Sequence, residues 1–177
     1  MVATIRFKDH PEFTPNLTPK QIFQRGSFGG TYWRPIYSNV THKHYKNQHK
    51  KYKCLKGLPD DQLTKDWDEY DAHLNLYQVK VGTTLEFWEH KHWISPLHPY
   101  GWVQWYCAFY DGQRGPDDER QIKRWSQTAG PNSRFRRALI NQIKKKHGKF
   151  NDIAISPRIR QTQQHWAYVL TSHDFLK

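Results

Sequence analysis

The feature that most constrains the fold is the stretch of residues 117–148, DDERQIKRWSQTAGPNSRFRRALINQIKKKHG. It predicts two amphipathic helices, Asp118–Ala129 and Ser133–His147, joined by a tight turn. Asp117 is a favourable N-cap residue for the first helix, and Gly130 with the proline after it is typical of a helix end. We therefore expect a helical hairpin that resembles a helix-turn-helix in layout.

Both predicted helices carry an apolar face and an opposite basic face at helical spacing. The apolar positions are Ile122, Trp125 and Ala129 in the first helix and Phe135, Leu139 and Ile143 in the second. The basic faces carry Arg120, Lys123, Arg124 and Gln127 in the first helix and Arg134, Arg137, Asn141, Lys144 and Lys145 in the second. We expect the apolar faces to be buried and the basic faces to point outward.

The charge of this hairpin is entirely positive beyond its first turn. Residues 120–149 contain ten Lys and Arg residues and no Asp or Glu. Two outward basic faces are typical of a surface that binds phosphates, although a solvated hairpin is the alternative. If the second helix lies in a DNA groove, Asn141 is suited to paired hydrogen bonds with adenine.

The composition of the whole chain favours the same class of partner. The formal net charge is +12 at pH 7 and the pI is about 9.7, which favours a polyanion. Aromatic residues make up 15% of the chain and include eight Trp. That content excludes a disordered basic tail and suits base stacking beside phosphate contacts.

Cysteine usage and hydropathy bear on the compartment. A single pair, Cys54 and Cys107, cannot define a disulfide framework, which favours a reducing, intracellular setting, cytoplasmic or nuclear. The segment MVATIRFKDH has no apolar signal region, and no apolar run is long enough to span a bilayer. We therefore expect no membrane partner.

Residues 26–38, GSFGGTYWRPIYS, form a glycine-rich segment followed by aromatic residues around Arg34. Its three glycines permit sharp turns or the close approach of a ligand. The loop is predicted either to present N–H groups to a phosphate, with Trp33 and Arg34 as contacts, or to be a structural loop packed by aromatics. It matches neither the P-loop nor the dinucleotide pattern.

The segment that follows is basic and rich in histidine. Residues 34–56 contain seven Lys and Arg residues and no acid. Because this tract has little apolar periodicity, it predicts an exposed basic, His-rich loop at 39–56. Short strands are expected at 4–7 and at 77–81, where apolar and polar residues alternate.

A helix predicted over residues 84–93 carries the candidate catalytic groups. Glu86 and His90 are four residues apart and share a face, and Glu89 and His92 are three apart. A carboxylate beside a histidine is suited to acid–base chemistry, while exposed histidines without a role are the alternative. The tract lacks any Cys/His zinc spacing, so no metal ligand is assigned, and the sequence identifies no cofactor.

The aromatic run WVQWYCAFY at 102–110 is predicted as the central core element. Periodicity does not distinguish helix from strand over so short an apolar run, and the flanking Gly101 and Gly112 favour a helix. Trp102, Trp105 and Phe109 are expected in the core. A strand would instead leave an aromatic platform for stacking bases.

The last predicted helix covers residues 158–171, after a cap at Ser156 and a proline at its first position. Arg158 and Arg160 lie in its first turn, which is unfavourable against the helix dipole. That placement is tolerated if the two side chains face an anion, so both are candidate nucleic-acid contacts.

The blocks GTYWRPIYS, GWVQWYC, DDERQIKRW and SPRIRQTQQHW together resemble those of a family of small single-domain proteins with no assigned activity. The resemblance covers residues 13–171. It implies one compact domain and transfers no functional residue.

The sequence as a whole predicts a mainly α fold with a minor β component, an α+β single domain over residues 1–177. The expected function is nucleic-acid binding, with DNA favoured over RNA, through the basic helical faces. One alternative is an enzyme acting on a nucleic acid or a phosphorylated small molecule, nuclease- or repair-like and dependent either on His and carboxylate groups or on a metal, and another is a basic protein-interaction module. The candidate groups for the enzyme are Glu86, Glu89, His90, His92, Asp117, Asp118 and Glu119.

Overall fold

The computed structural model describes residues 2–176 and contains α-helices, short 3₁₀ turns and one two-stranded sheet. The helices are α1 (Pro19–Gln24), α2 (Leu85–His90), α3 (Trp102–Tyr110), α4 (Asp118–Ala129), α5 (Arg134–Lys145) and α6 (Pro157–His165). The antiparallel strands are β1 (Ile36–Ser38) and β2 (Lys43–Tyr45). The predicted mainly α fold with a minor β component is confirmed.

Helix α3 is the centre of the core, and the helical prediction for residues 102–110 is confirmed. Eight of its nine residues are buried, as expected for Trp102, Trp105 and Phe109. The indole of Trp105 donates to Asp118 Oδ1 at 2.8 Å, and that of Trp102 donates to Gln121 O at 3.1 Å. Since a buried indole N–H needs a partner, these two bonds fix α4 against α3.

The helical hairpin has the predicted layout, and α4 buries the predicted face. Ile122, Trp125 and Ala129 are buried in the core. At the start of α4, Asp117 makes no capping bond; its carboxylate instead accepts from the guanidinium of Arg120 and the amide of Gln121. The basic face of α4 therefore begins with an ion pair.

The buried face of α5 differs from the prediction at its first position. Leu139 and Ile143 are buried, but Phe135 is 41% exposed and Arg136 lies inward in its place. The guanidinium of Arg136 donates to Ala129 O and to Asp174 and lies 3.6 Å from the ring centroid of Tyr168. These partners offset the cost of burying the charge through the two terminal nitrogens of the guanidinium, while its buried Nε atom makes no hydrogen bond among the described residues.

Several other elements also differ from the predictions. Residues 4–7 and 77–81 are not strands, and the sheet is formed by the hairpin at 36–45. Helix α6 ends at His165 because Ala167 takes a left-handed φ of 57°. The basic tract 39–56 is not a free loop, since His49, Tyr52 and Leu55 within it are buried.

The length and hydropathy of the helices determine whether any of them could cross a membrane. Within residues 2–176, every helix is too short or too polar to cross a membrane.

Candidate functional site

A cleft of about 790 Å³ is lined by α4, the end of α6, the loop at 28–34 and the segment 67–103. Ten of its lining side chains are Phe, Tyr or Trp. They include five of the eight tryptophans of the chain, Trp67, Trp88, Trp93, Trp102 and Trp166. The volume falls within the range of about 300–1,000 Å³ that is typical of small-ligand sites.

The aromatic lining includes rings that the core does not cover. Trp93 is 42% exposed and Phe87 is 39% exposed, with their ring centroids 5.8 Å apart. Across the cleft, Trp166 lies 4.8 Å from Trp102. Since large aromatic side chains are usually buried for most of their surface, these partly exposed rings mark a surface suited to a flat apolar ligand.

Three cations on the basic face of α4, Arg120, Lys123 and Arg124, line the same cleft. The guanidinium of Arg124 donates to Trp93 O at 3.1 Å and lies 5.3 Å from the ring of Trp166. Burial lowers the pKa of Arg124 to about 10, with neighbouring Arg120 as a further cause. Arg124 therefore stays cationic at neutral pH while it joins two walls of the cleft.

A fourth cation, Arg34, belongs to the glycine-rich segment. Its guanidinium donates to Thr31 O at 3.2 Å and lies 5.0 Å from the ring of Trp67. Burial lowers the pKa of Arg34. Among residues 2–176, no Asp or Glu side chain lines the cleft, so its lining is positive as well as aromatic.

The lining also contains a buried histidine, His165, which is 7% exposed. Its Nε2 atom accepts from Phe28 N at 3.3 Å and lies 3.0 Å from Gln161 Nε2. Its ring stacks on Phe28, with the centroids 3.8 Å apart. Burial lowers the pKa of His165 to about 3, so the imidazole is neutral over the physiological range.

The glycine-rich loop does not offer the N–H groups that a phosphate cradle needs. Gly29 N donates to Asn75 Oδ1 at 2.8 Å, Gly30 N donates to Ser27 O, and Phe28 N donates to His165. The structural alternative therefore accounts for this loop. Trp33, a predicted nucleic-acid contact, is fully buried and has no surface for a ligand.

The predicted contacts on α5 and α6 lie outside the cleft. The α5 residues Arg134, Arg137, Asn141, Lys144 and Lys145 are all exposed, as is Arg158. The prediction for Arg160 is wrong: it is buried, and its guanidinium donates to Ile155 O and Phe150 O. Backbone carbonyls, rather than an anion, explain its place near the helix start.

The four candidate catalytic residues, Glu86, Glu89, His90 and His92, line a separate depression of about 500 Å³ beside Asn39. The carboxylate of Glu89 is occupied, because Asn39 N and Asn39 Nδ2 donate to it at 3.0 and 2.7 Å. In the part of the chain that the structure describes, no group of three or more His, Cys, Asp or Glu residues is placed to hold a metal ion. Catalysis at this depression stays a prediction.

The remaining carboxylates proposed for an enzyme do not line the aromatic cleft. Asp118 is buried and accepts from Trp105 Nε1 and Gly115 N, so its role is to hold α4 in place. Asp117 is paired with Arg120, and Glu119 is exposed.

Among the cleft residues that sequence reasoning did not identify are Trp93, Trp166 and His165. For Trp93, the sequence contained one indication that its ring is not fully buried. Helix α2 and its flanks supply Leu85, Phe87, Trp88 and Trp93, more apolar surface than a helix of six residues can bury.

The chain was also compared with known families, curated proteins and solved structures, and none of them matches it.

Proposed function

We propose that this protein binds nucleic acid, and that the aromatic cleft beside α4 is the binding site. The observation that carries the proposal is that Arg34 and the three α4 cations line a cleft whose other walls are aromatic. This combination matches the two chemical parts of a nucleotide, because phosphates attract cations and bases stack on aromatic rings.

The geometry favours unpaired over paired bases. A ring such as Trp93 or Trp166 stacks on a base only when the face of that base is free, and in a duplex both faces are covered by neighbouring bases. Lys123 is exposed and makes no ion pair among residues 2–176, so it is available to a backbone phosphate at the rim of the cleft. Single strands, loops and extruded bases are the expected ligands.

The exposed basic face of α5 is proposed to contact a different part of the ligand from the part held in the cleft. Its cations lie on open surface, where they can contact the phosphates of a strand or duplex that extends beyond the cleft. A protein with both surfaces would bind a junction between paired and unpaired segments better than either alone, since the two contacts add.

A phosphorylated small molecule with an aromatic ring is a second candidate ligand. It is favoured by the volume of the cleft, about 790 Å³, which a single free nucleotide would fit. Among the described residues, none of the acidic groups considered for catalysis lines the cleft, so we propose binding there rather than a reaction.

The test is a titration of the protein with fluorescently labelled single-stranded DNA, the matching duplex, the same strand as RNA, and a free mononucleotide. We expect the single strand to bind more tightly than the duplex and the mononucleotide weakly. Affinity should fall as salt is raised, and tryptophan fluorescence should be quenched by stacking.

Inorganic polyphosphate is the control, because it carries the charge of a nucleic acid without bases. If polyphosphate binds as tightly as single-stranded DNA and causes the same change in tryptophan fluorescence, base recognition is absent and the proposal fails. Tight binding of the mononucleotide alone would favour the second candidate.

A further inference from the structure

Building on the proposed function, and resting on it, we infer that the cleft holds one unpaired base and that Nδ1–H of His165 donates a hydrogen bond to an acceptor atom of that base. The tautomer, the burial and the surroundings of His165 carry this assignment, which names the part of the ligand that is recognised and so goes beyond the class of ligand proposed above.

The tautomer of His165 is fixed by a backbone group. Phe28 N lies 3.3 Å from Nε2 of His165, and a backbone N–H can only donate. The Nε2 atom must therefore be an acceptor without a proton, and in a neutral imidazole the proton is then on Nδ1.

A neighbouring amide reinforces this assignment. Gln161 Oε1 accepts from Tyr77 N at 3.1 Å, which leaves Gln161 Nε2 to donate to Gly26 O and to His165. Phe28 N and Gln161 Nε2 thus both donate to Nε2 of His165. If the imidazole ring turned over, so that Nδ1 and Nε2 exchanged places, both hydrogen bonds would be lost. The stacked ring of Phe28, inclined by only 15°, holds the imidazole plane.

The proton on Nδ1 has no partner in the protein. Among residues 2–176 this atom makes no hydrogen bond, and, unlike Nδ1 of His98, it is not fully buried, although His165 as a whole is 7% exposed. The residue lines the cleft together with Trp166 and Arg124, so the exposed part of its ring faces the cleft. A donor in the wall of a cleft gains a hydrogen bond when the ligand supplies the acceptor that the protein lacks.

The chemistry of the donor selects the base rather than the phosphate. A neutral imidazole stacked on Phe28 offers a single uncharged N–H, whereas Arg34, Lys123 and Arg124 offer positive charge nearer to solvent. Phosphate oxygens are better satisfied by cations. The carbonyl oxygens and ring nitrogens of bases are neutral acceptors that lie at the edge of a flat ring, as stacking in an aromatic cleft requires.

The experiment compares the wild type with His165→Gln, using single-stranded DNA homopolymers of each base. In this variant the glutamine amide oxygen can still accept from Phe28 N, but its N–H group is no longer held by an aromatic ring stacked on Phe28; His165→Leu, whose side chain has no donor, is the second variant and should behave in the same way. We expect the wild type to prefer its best base over its worst by about three- to tenfold, the effect of one hydrogen bond. The variant should lose this preference and keep the salt dependence of the wild type.

A change in the ligand tests the same bond without changing the protein. Replacing the preferred base by an isostere of the same shape without acceptors, difluorotoluene in the case of thymine, should weaken binding to the wild type by about three- to tenfold. The same replacement should have no effect on His165→Gln. Equal binding of base and isostere by the wild type overturns this inference and leaves the proposed function standing.

Nitrogen NMR of the imidazole gives a readout that does not depend on affinity. In the free protein the Nδ1 signal should carry the proton, and addition of a saturating single strand should shift it. A protonated Nε2, or an Nδ1 signal unchanged by bound DNA, overturns the inference. If no strand binds at all, the proposed function fails and this inference fails with it.

Discussion

Helices α4 and α5 have the same length, 12 residues each, and similar basic faces, yet their surroundings differ. The cations of α4 line a cleft with ten aromatic side chains, whereas those of α5 lie on open surface beside a single exposed ring, Phe135. Similar patterns of charge can therefore lie in different surroundings. What a basic face can bind depends on what the rest of the chain places beside it.

The buried faces of α4 and α5 explain why the surroundings of the two basic faces differ. α4 is anchored by tryptophans, since Trp125 is fully buried and Trp102 and Trp105 donate to atoms of α4. α5 is anchored through Arg136, which binds a backbone carbonyl and Asp174. Aromatic anchoring places further aromatic residues, those of α3 and Trp166 directly after α6, close to α4, and the cleft forms among them.

The first prediction tests the anchoring and has the largest expected effect. Trp125→Ala should lower the free energy of unfolding by about 3–5 kcal/mol, the usual cost of truncating a buried Trp. The matched change on α5 is Phe135→Ala, which should stay within about 0.5 kcal/mol of the wild type because the ring is exposed. Denaturant titration measures both. Similar costs for the two variants would mean that the helices are anchored alike.

This comparison also shows what the sequence could and could not predict. The bounds and basic faces of α4 and α5 follow from local spacing and turn residues, and both were predicted closely. The place of Phe135 was not, because residues spaced every fourth position drift by about 40° per step. Positions 136, 139 and 143 form a narrower stripe, and the acid that makes Arg136 tolerable there, Asp174, lies 38 residues away.

The cleft depends even more on tertiary structure. Trp102 and Trp166 are distant in sequence and lie 4.8 Å apart, and Arg124 contacts a carbonyl of residue 93. Local periodicity identifies an aromatic residue but not whether the fold leaves its face open. The sequence could therefore indicate a basic, aromatic protein, and only the structure brings Arg34, the α4 cations and these rings together.

The second prediction uses the buried histidine on the cleft side. Burial lowers the pKa of His165 to about 3, below the value of about 6.5 expected in the unfolded chain. Between these values the unfolded state binds a proton that the folded state does not, so stability falls as pH falls. From pH 7 to pH 5, the contribution of His165 to this loss should be about 2 kcal/mol.

The contribution of His165 is measured by comparing the denaturant midpoints of wild type and variant at pH 7 and at pH 5. His165→Gln should lose less stability than the wild type over this interval, by roughly the amount given. The control is His147→Gln at the exposed end of α5, where we expect the same loss as in the wild type. An identical pH dependence for wild type and His165→Gln would contradict the burial argument.

The third prediction tests whether the exposed aromatic ring in the cleft beside α4 contributes to binding while the exposed ring on α5 does not. Trp93 and Phe135 are almost equally exposed, 42% and 41%, but only Trp93 lines the cleft. Trp93→Ala should weaken single-stranded DNA binding by roughly tenfold, within the range for loss of one base-stacking contact. The slope of affinity against salt should not change, because no charge is removed.

Phe135→Ala is the control and should bind single-stranded DNA as the wild type does. Fluorescence anisotropy at several salt concentrations measures both affinity and slope. If the two alanine variants weaken binding equally, the cleft has no special part in the contact and the distinction between α4 and α5 disappears.

The last prediction concerns the smaller, purely electrostatic effect expected of α5. Lys144 and Arg137 are exposed on this helix, and each phosphate contact on duplex DNA contributes about 0.9 to the logarithmic salt slope. Lys144→Ala or Arg137→Ala should therefore flatten the slope by about one unit on duplex DNA and weaken all sequences alike. Asn141→Ala should keep the slope, and if Asn141 contacts a base it should reduce sequence preference instead.

The opposite pattern is expected for α4. Lys123→Ala should flatten the slope on single-stranded DNA by about 0.7 and have little effect on duplex, because we propose that the cleft binds unpaired bases. Lys123→Ala should thus change mainly the binding of single-stranded DNA, whereas Lys144→Ala and Arg137→Ala should change mainly the binding of duplex DNA. If Lys144→Ala and Arg137→Ala match the wild type on both ligands, α5 is not a binding face and its charge serves only solubility. Binding would then rest on α4 alone, where the same positive pattern is joined to aromatic walls.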